Sequence, residues 1–392
     1  MLTASPRTDI DLYTEAAIRS PYENYRLLRD LGPAVWLERN DVWAVARYRD
    51  VHAALQDPET FSSASGVALN DQTNERMRAT TVSTDPPEHE QFRTLINRPL
   101  TPKALRAHQE LFHRRADELV EKLLGAGTFD VVTDFAQVLP LSVVSDLLGW
   151  PVEGRSEFLS WSCAIFNLSG PMNERSIADL PALKAMQEYT REVIDSGRLR
   201  PGSCGADLLA AAEAERIDKN QIPSLIGAYL APSIDTTVAM LSSALWLLGR
   251  DPSLWQAIRR DHSLIPNALN EVMRYESPVR GYTRLVTREY ELDGTTLPAG
   301  SRVFLLLGAA NRDERRWAEP DVFDIRRPDA KHHIAFGHGI HSCIGQGLVR
   351  LEGTALFTAL AKRVRRIEVG EPTWGVNNVV RSLASLPVAL HN

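Results

Sequence analysis

Phe336-Gly337-His338-Gly339-Ile340-His341-Ser342-Cys343-Ile344-Gly345 is a glycine-punctuated loop that delivers one cysteine to the start of a helical pattern. A thiolate placed there is stabilised by the free N–H groups and the dipole of the helix N-terminus. Such a cysteine suits an electron-rich axial ligand to haem iron, where thiolate donation favours O–O cleavage. The glycines let the backbone approach a flat macrocycle closely. On the loop alone two other readings stay open. Cys343 could be a small buried apolar residue, or His338, His341 and Cys343, with His332 and His333 just upstream, could hold zinc.

Composition narrows the field. The chain has 392 residues, 44% hydrophobic and 24% charged, without low-complexity tracts or short repeats, the make-up of a globular protein with a large core. A net charge of -6 with no basic block argues against nucleic acid as a partner and leaves a small organic ligand as the expectation. Three scattered cysteines, Cys163, Cys204 and Cys343, are too few for a secreted disulfide framework and fit a reducing cytoplasm. Met1 to Leu12 holds acidic residues and no apolar run, so neither signal peptide nor membrane anchor is expected there. Leu225 to Leu248 is long enough to span a bilayer and carries a single charge, Asp235. Pro232, Ser233, Thr236, Thr237, Ser242 and Ser243 would, however, set a polar cluster in lipid. The stretch reads as a buried helix and the protein as soluble.

Along the chain, Ala34–Glu38 and Val42–Arg47 alternate about Arg39-Asn40-Asp41 as a hairpin. Val51–Leu55 is a short helix ended by Asp57-Pro58, and the polar segment Phe61–Arg78 reads as loop. Apolar residues at three- and four-residue steps from Leu105 to Leu124 predict an amphipathic helix. Pro223 to Arg250 predicts a central helix about 42 Å long. Val286–Leu292 and Arg302–Leu307 read as strands, with turns at Asp293-Gly294 and Pro298-Ala299-Gly300 between them. The expectation is a mainly α chain, a helical bundle with a long central helix and small β-sheets, in one domain over residues 1–392.

Three further motifs occur in order, and with the cysteine loop they resemble the cytochrome P450 superfamily, bacterial haem-thiolate monooxygenases included, over nearly the whole chain. Asp85-Pro86-Pro87-Glu88-His89-Glu90-Gln91-Phe92-Arg93 resembles the segment opening a propionate-binding helix, with His89 and Arg93 on one face. Glu271-Val272-Met273-Arg274 resembles the Glu-x-x-Arg pair that organises the core beneath the haem. Arg284, shortly after Ser277-Pro278, matches a further propionate arginine, and Asn311-Arg312-Asp313 through Pro320 and Phe323 completes the pattern. The resemblance implies the P450 fold and haem b held by His89, Arg93, Arg284, Phe336 and His341. It also implies Cys343 as the iron ligand and a structural role for Glu271 and Arg274.

In the central helix, Pro232-Ser233-Ile234-Asp235-Thr236-Thr237 falls where the family has a small residue, a glycine, any residue, an acid and a threonine. Asp235 and Thr236 then stand as the acid–alcohol pair that hydrogen-bonds dioxygen and passes protons to it. Pro232 and Ser233 depart from the usual Ala/Gly-Gly. Proline removes an N–H and bends a helix, so the groove beside dioxygen is expected to be formed differently.

Val42–Tyr48, Phe166–Asn173 and Asn377-Asn378 through Pro387 resemble the bacterial para-methoxybenzoate O-demethylase group. That resemblance implies a pocket lined by Arg76, Phe166, Ser169, Gly227, Ala228, Ala231, Val279 and Tyr282, taking a small planar aromatic. Ala79 and Ala228 stand where that group uses two serines for the benzoate carboxylate, and Ser169 and Tyr282 stand at phenylalanine positions. A methoxyphenol is therefore expected as readily as a methoxybenzoate, with hydroxylation or oxidative O-demethylation as the reaction. A terpenoid or other secondary metabolite as substrate, or a peroxide-using haem enzyme, is the alternative. No flavin, nicotinamide or iron–sulfur motif is evident, so a ferredoxin and its NADH- or NADPH-dependent reductase are the expected electron donors. They would dock near Arg98, Lys103 and Arg350.

Overall fold

The computed structural model describes residues 6–78, 80–151, 153–214 and 217–392, with residues 224, 228, 230 and 231 described by backbone only. Helices carry most of the chain and short strands the rest, as a mainly α sequence requires. The central helix runs Ile222–Gly249, one residue earlier at each end than its sequence pattern predicts. Asp218 and Gln221 form a capping box on the turn leading into it. Apolar residues cover much of its circumference, from Leu225, Ile226 and Tyr229 to Val238, Leu241, Leu245 and Leu248, and bury most of it, while Pro232 is exposed. Its last residue is glycine for want of space: a Cβ on Gly249 would lie 2.6 Å from Val369 Cγ1. Lys219–Gly249 and Val131–Leu148 are long and apolar enough to cross a membrane, but 71% and 56% of their most apolar windows lie buried inside the protein.

The helix expected from Leu105 starts earlier, at Pro102, because Thr101 caps it by accepting from the Ala104 N–H. It packs along Gln346–Arg363, the helix that follows the cysteine loop. The N-terminal hairpin pairs Val35–Leu37 with Val42–Val45, Trp36 opposite Trp43. It belongs to a six-stranded sheet ordered Arg7–Thr8, Val35–Leu37, Val42–Val45, Arg302–Leu305, Tyr282–Val286, Phe61–Ser62.

Two expectations need correction. Phe61–Arg78 is not all loop, since it holds the strand Phe61–Ser62 and the helix Asp71–Arg76. Asn70 caps that helix by accepting from Thr73 N and anchors it by donating to the carbonyls of Leu168 and Gly170. Polar bonds of this kind leave no apolar period to read. The strand expected over Val286–Leu292 breaks after Val286, where Thr287 bonds Thr60 O through its N–H and Glu59 O through its hydroxyl. Tyr290–Leu292 pairs instead with Thr295–Leu297 in a separate hairpin.

Glu271 and Arg274 lie one turn apart in the helix Ile265–Glu276, both fully buried. Arg274 donates two 2.7 Å bonds to the Glu271 carboxylate and others to the carbonyls of Asn311, Pro320 and Val322. Arg327 donates to Glu271 at 3.1 Å and to the carbonyls of Ala318, Glu319 and Val322. Residues 311–327 form no helix or strand, so these guanidinium donors replace the backbone ladder their carbonyls lack. Glu271→Gln should therefore destabilise the protein by about 3–5 kcal/mol, because two buried cations lose their counter-charge. Urea unfolding at constant m-value checks this, and an unchanged midpoint would show the cluster to be dispensable.

Candidate functional site

Cys343 lies between the turn Gly339–His341 and the helix Gln346–Arg363. Its N–H donates to Phe336 O at 2.8 Å and closes the loop on itself. Burial pushes the thiol above its usual value, opposed by the N–H groups of Gly345 and Gln346 at the helix start and by nearby Arg93 and Arg350. Gly339, at φ +69°, leaves no room for a side chain, since a Cβ there would lie 2.3 Å from Leu55 O.

His89 and Arg93 sit one turn apart in the helix Glu88–Asn97, and Arg93 donates to Ser342 O in the cysteine loop. The His89 ring meets His341 edge-on at 4.4 Å, and His341 Nε2 stands 3.8 Å from Asp85 Oδ1. Burial pushes both imidazoles down, His89 to about 4, so both are neutral at pH 7. Arg284, in the strand Tyr282–Val286, is buried deeply enough to fall to about 10, and among the described residues it bonds only its neighbour Thr283 O, at 2.8 Å. Among the described residues, both nitrogens of His89 and Nε2 of His341 are buried without a hydrogen-bond partner. Orphaned donors of this kind are rare in a native interior. Here they converge with two arginines beside a buried cysteine, a donor set that fits a flat group carrying carboxylates at its edge and a thiolate-binding metal at its centre.

The zinc alternative does not assemble. His338 packs at 4.1 Å on His52 and bonds Gln56, His341 packs on His89, and His333 Nδ1 accepts from Ala335 N. Among the described residues no three His, Cys, Asp or Glu side chains come together around a metal-sized space.

On the central helix, which continues through Pro232, Thr236 Oγ1 donates to Pro232 O at 2.7 Å and Ser233 Oγ donates to Tyr229 O. Asp235 is 8% exposed and, among the described residues, has neither an ion pair nor a hydrogen bond. Burial alone pushes its carboxyl up to about 7. It faces Cys163 of the helix Phe158–Leu168, whose thiol burial, reinforced by Asp235, pushes up to about 12.

Phe166, Ala239, Val379 and Val380 form a separate buried cluster, with Val279 and Tyr282 packed against it. A β-bridge pairs Val279 with Val380. A cavity of about 830 Å³ runs past Arg76, Ile165, Leu168 and Gly227 to Pro232. The expected pocket residues thus divide between the cluster, with Phe166, Val279 and Tyr282, and the cavity, with Arg76 and Gly227. Ser169 lies in neither: its hydroxyl donates to Ile165 O at 2.9 Å and its carbonyl accepts from Leu69 N. Ala79 and the side chains of Ala228 and Ala231 lie outside the described residues. Ala239, Val379 and Val380 were not foreseen. Helical period from Thr236 could have found Ala239, whereas the two valines join only through the bridge to Val279. On the expected docking face, Arg98 pairs with Asp207 at 3.5 Å, Arg350 lies over the Phe336 ring at 5.3 Å, and Lys103 is exposed.

A family model described as Cytochrome P450 matches residues 182–371. The chain is 37% identical over 390 residues to cytochrome P450 CYP199A2 of Rhodopseudomonas palustris, covering 98% of this chain and 94% of that one. This chain belongs to the cytochrome P450 family. Cytochrome P450 monooxygenase PikC of Streptomyces venezuelae is 32% identical, with 98% and 95% of the two chains covered. The crystal structure of CYP109E1 from Bacillus megaterium in complex with testosterone matches with a TM-score of 0.87 at 28% identity, over 97% of this chain and 100% of that one. The P450 CREJ in complex with (4-ethylphenyl) dihydrogen phosphate matches at 0.87 and 27% identity, over 98% and 99%. The protein is a P450 monooxygenase with the P450 fold, and its cofactor is haem b.

Asp235 gives this P450 a pH-dependent stability. Its native carboxyl titrates near 7 against an ordinary 3.8, so between those values the folded protein holds a proton that the unfolded chain has released. Stability due to this group falls as pH rises through that window, and the penalty is complete above it. Asp235→Asn should exceed the parent in stability at pH 8 by up to about 4 kcal/mol and lose that advantage at pH 4. Urea midpoints at the two pH values test this, and a difference independent of pH would contradict it.

Proposed function

We propose that this P450 hydroxylates or oxidatively O-demethylates a small oxygenated aromatic. The observation that carries the reading is the cluster of Phe166, Ala239, Val279, Val379, Val380 and Tyr282, two aromatic rings among small aliphatic side chains. Ala239 lies three residues beyond Thr236, on the same side of the central helix. The stretches at 42–48, 166–173 and 377–387 that resemble the O-demethylase group support it. So does the aryl phosphate bound by CREJ, a structural relative of similar fold.

Cys343 is assigned as the thiolate ligand, and His89, Arg93, Arg284 and His341 as partners of the cofactor carboxylates. Phe336 O fixes the cysteine loop. Haem b supplies, when bound, the iron at which dioxygen is reduced and one oxygen atom passes to the substrate. The neutral imidazoles of His89 and His341 donate N–H groups without adding charge. Thr236, with its hydroxyl proton directed to Pro232 O, presents lone pairs and so holds a proton donor in place. Asp235, poised near neutrality, both gives and takes a proton at physiological pH. Hydroxylation at a methoxy carbon of the substrate yields a hemiacetal that collapses to a phenol and formaldehyde. Arg76, exposed on the cavity and unpaired among the described residues, attracts an anionic substituent. Electrons come from a soluble ferredoxin and its reductase in the cytoplasm, with Lys103, Arg98 and Arg350 as the basic contacts.

A cavity of about 830 Å³ exceeds the space one ring fills, and this favours, as a second reading, hydroxylation of a larger metabolite reaching out to Arg76. Spin-state difference spectra with 4-methoxybenzoate, 4-methoxyphenol and testosterone separate the two readings. A shift with a single-ring ether, accompanied by formaldehyde in turnover, is expected, and a shift with the steroid alone would overturn the aromatic assignment. Thr236→Ala should lower product formed per NADH severalfold while NADH consumption continues. An unchanged ratio would remove Thr236 from proton delivery.

A further inference from the structure

We infer that the phenolic hydroxyl of Tyr282 selects the substrate by donating a hydrogen bond to an ether, phenol or carbonyl oxygen on the aromatic ligand. The inference rests on the aromatic reading above and gives it a chemical criterion.

Tyr282 opens the strand Tyr282–Val286, where pairing with Leu305 fixes its backbone. Its ring packs against the Phe166, Ala239, Val379 and Val380 cluster together with Val279, and none of those five side chains carries a polar atom. The phenol is the one side-chain hydrogen-bonding group of that cluster. Among the described residues it has no hydrogen bond, in contrast to Tyr22, which donates to Glu276 at 3.0 Å, Tyr25, which accepts from Arg280 at 3.2 Å, and Tyr229, which donates to Ile96 O. The side chain is close enough to Cys343 and Arg284 to feel both electrostatically. Burial holds the phenol above its usual range, so it stays a neutral donor at any working pH.

A lone donor among apolar side chains discriminates by polarity. A ligand with an oxygen in reach satisfies it, and a ligand of equal shape without one leaves it desolvated and unpaired. The rival is local: Arg284 lies two residues along the same strand, so the phenol could instead meet a cofactor carboxylate that Arg284 also serves.

The haem-loaded protein and its Tyr282→Phe variant, which keeps the ring, are compared with 1,4-dimethoxybenzene and 1,4-diethylbenzene, isosteres that exchange oxygen for methylene. Dissociation constants come from the spin-state titration. The parent should prefer the diether, and Tyr282→Phe should weaken the diether roughly fivefold while leaving the hydrocarbon unchanged or tighter. Equal weakening of both ligands, with a changed reduction potential before ligand is added, would assign the phenol to the cofactor and overturn the inference. Binding of both ligands by the parent with no effect of the variant would overturn the inference alone. If the parent binds neither probe, the aromatic reading itself fails and the inference falls with it.

Discussion

The carboxylate of Glu271, with no exposure to solvent, is shared by two guanidinium groups, and the presentation of the cysteine loop depends on it. A buried charge pair is favourable only when the remaining donors also find partners. Arg274 and Arg327 meet that condition by turning their other N–H groups onto carbonyls between Asn311 and Val322, a stretch without helix or strand. Asn311 carries the framework onward, donating to Ser277 Oγ at 2.9 Å and accepting from Ile334 N at 2.8 Å. The cysteine loop begins two residues later. An irregular segment of this length would otherwise be free to move, so the position of Cys343 traces to a charge cluster more than to apolar contact.

Burial acts differently on acids that lack cations. Asp235 has none among the described residues and rises to about 7. Glu352, in the helix after the cysteine loop, rises to about 8 with Oε1 unpartnered, so it keeps its proton at neutral pH and adds no charge to the core. The cations nearest the cysteine loop are positioned otherwise: Arg93 donates to Ser342 O, and Arg284 stands beside the orphaned imidazoles. Paired charges occur where a loop must be held still, and the acid next to Thr236 is left unpaired among the described residues, as the proposed proton transfer requires.

Much of this arrangement was legible in the sequence, for reasons that mark where legibility stops. The glycine spacing and the helical pattern after Cys343 reflect local backbone needs, and the near absence of charge from Leu225 to Leu248 reflects the burial of most of that helix. His89 and Arg93 share a face by helical period. The metal-like spacing of His338 and His341 misled because Gly337 and Gly339, both at φ +69°, turn His338 toward His52 while His341 meets His89. The order in Phe61–Arg78 comes from Asn70 bonding carbonyls some hundred positions away, and no period records such a contact. Val379 and Val380 join the Phe166 cluster, Val380 through a bridge to Val279, again a contact between distant parts of the chain. Ser169 has the opposite lesson: its hydroxyl, polar in sequence, is turned back onto Ile165 O.

Pro232 brings the two halves of the site into one polarity argument. Proline at that position removes a donor from the central helix, and Ser233 and Thr236 direct their hydroxyl protons back to Tyr229 O and Pro232 O. What this part of the helix offers a ligand is therefore lone pairs. On the proposed reading, donors would come from the phenol of Tyr282 and from Asp235 in its protonated form, below about 7. A hydrocarbon ligand packed against Tyr282 would leave the phenol desolvated, a cost of about 1–3 kcal/mol. A ligand with an oxygen toward Tyr282 avoids that cost while its ring lies against Phe166 and Val279. On the proposed reading this site would select on polarity before shape, and side chains that are largely valine, alanine and phenylalanine would still distinguish an aryl ether from an alkylbenzene of the same outline.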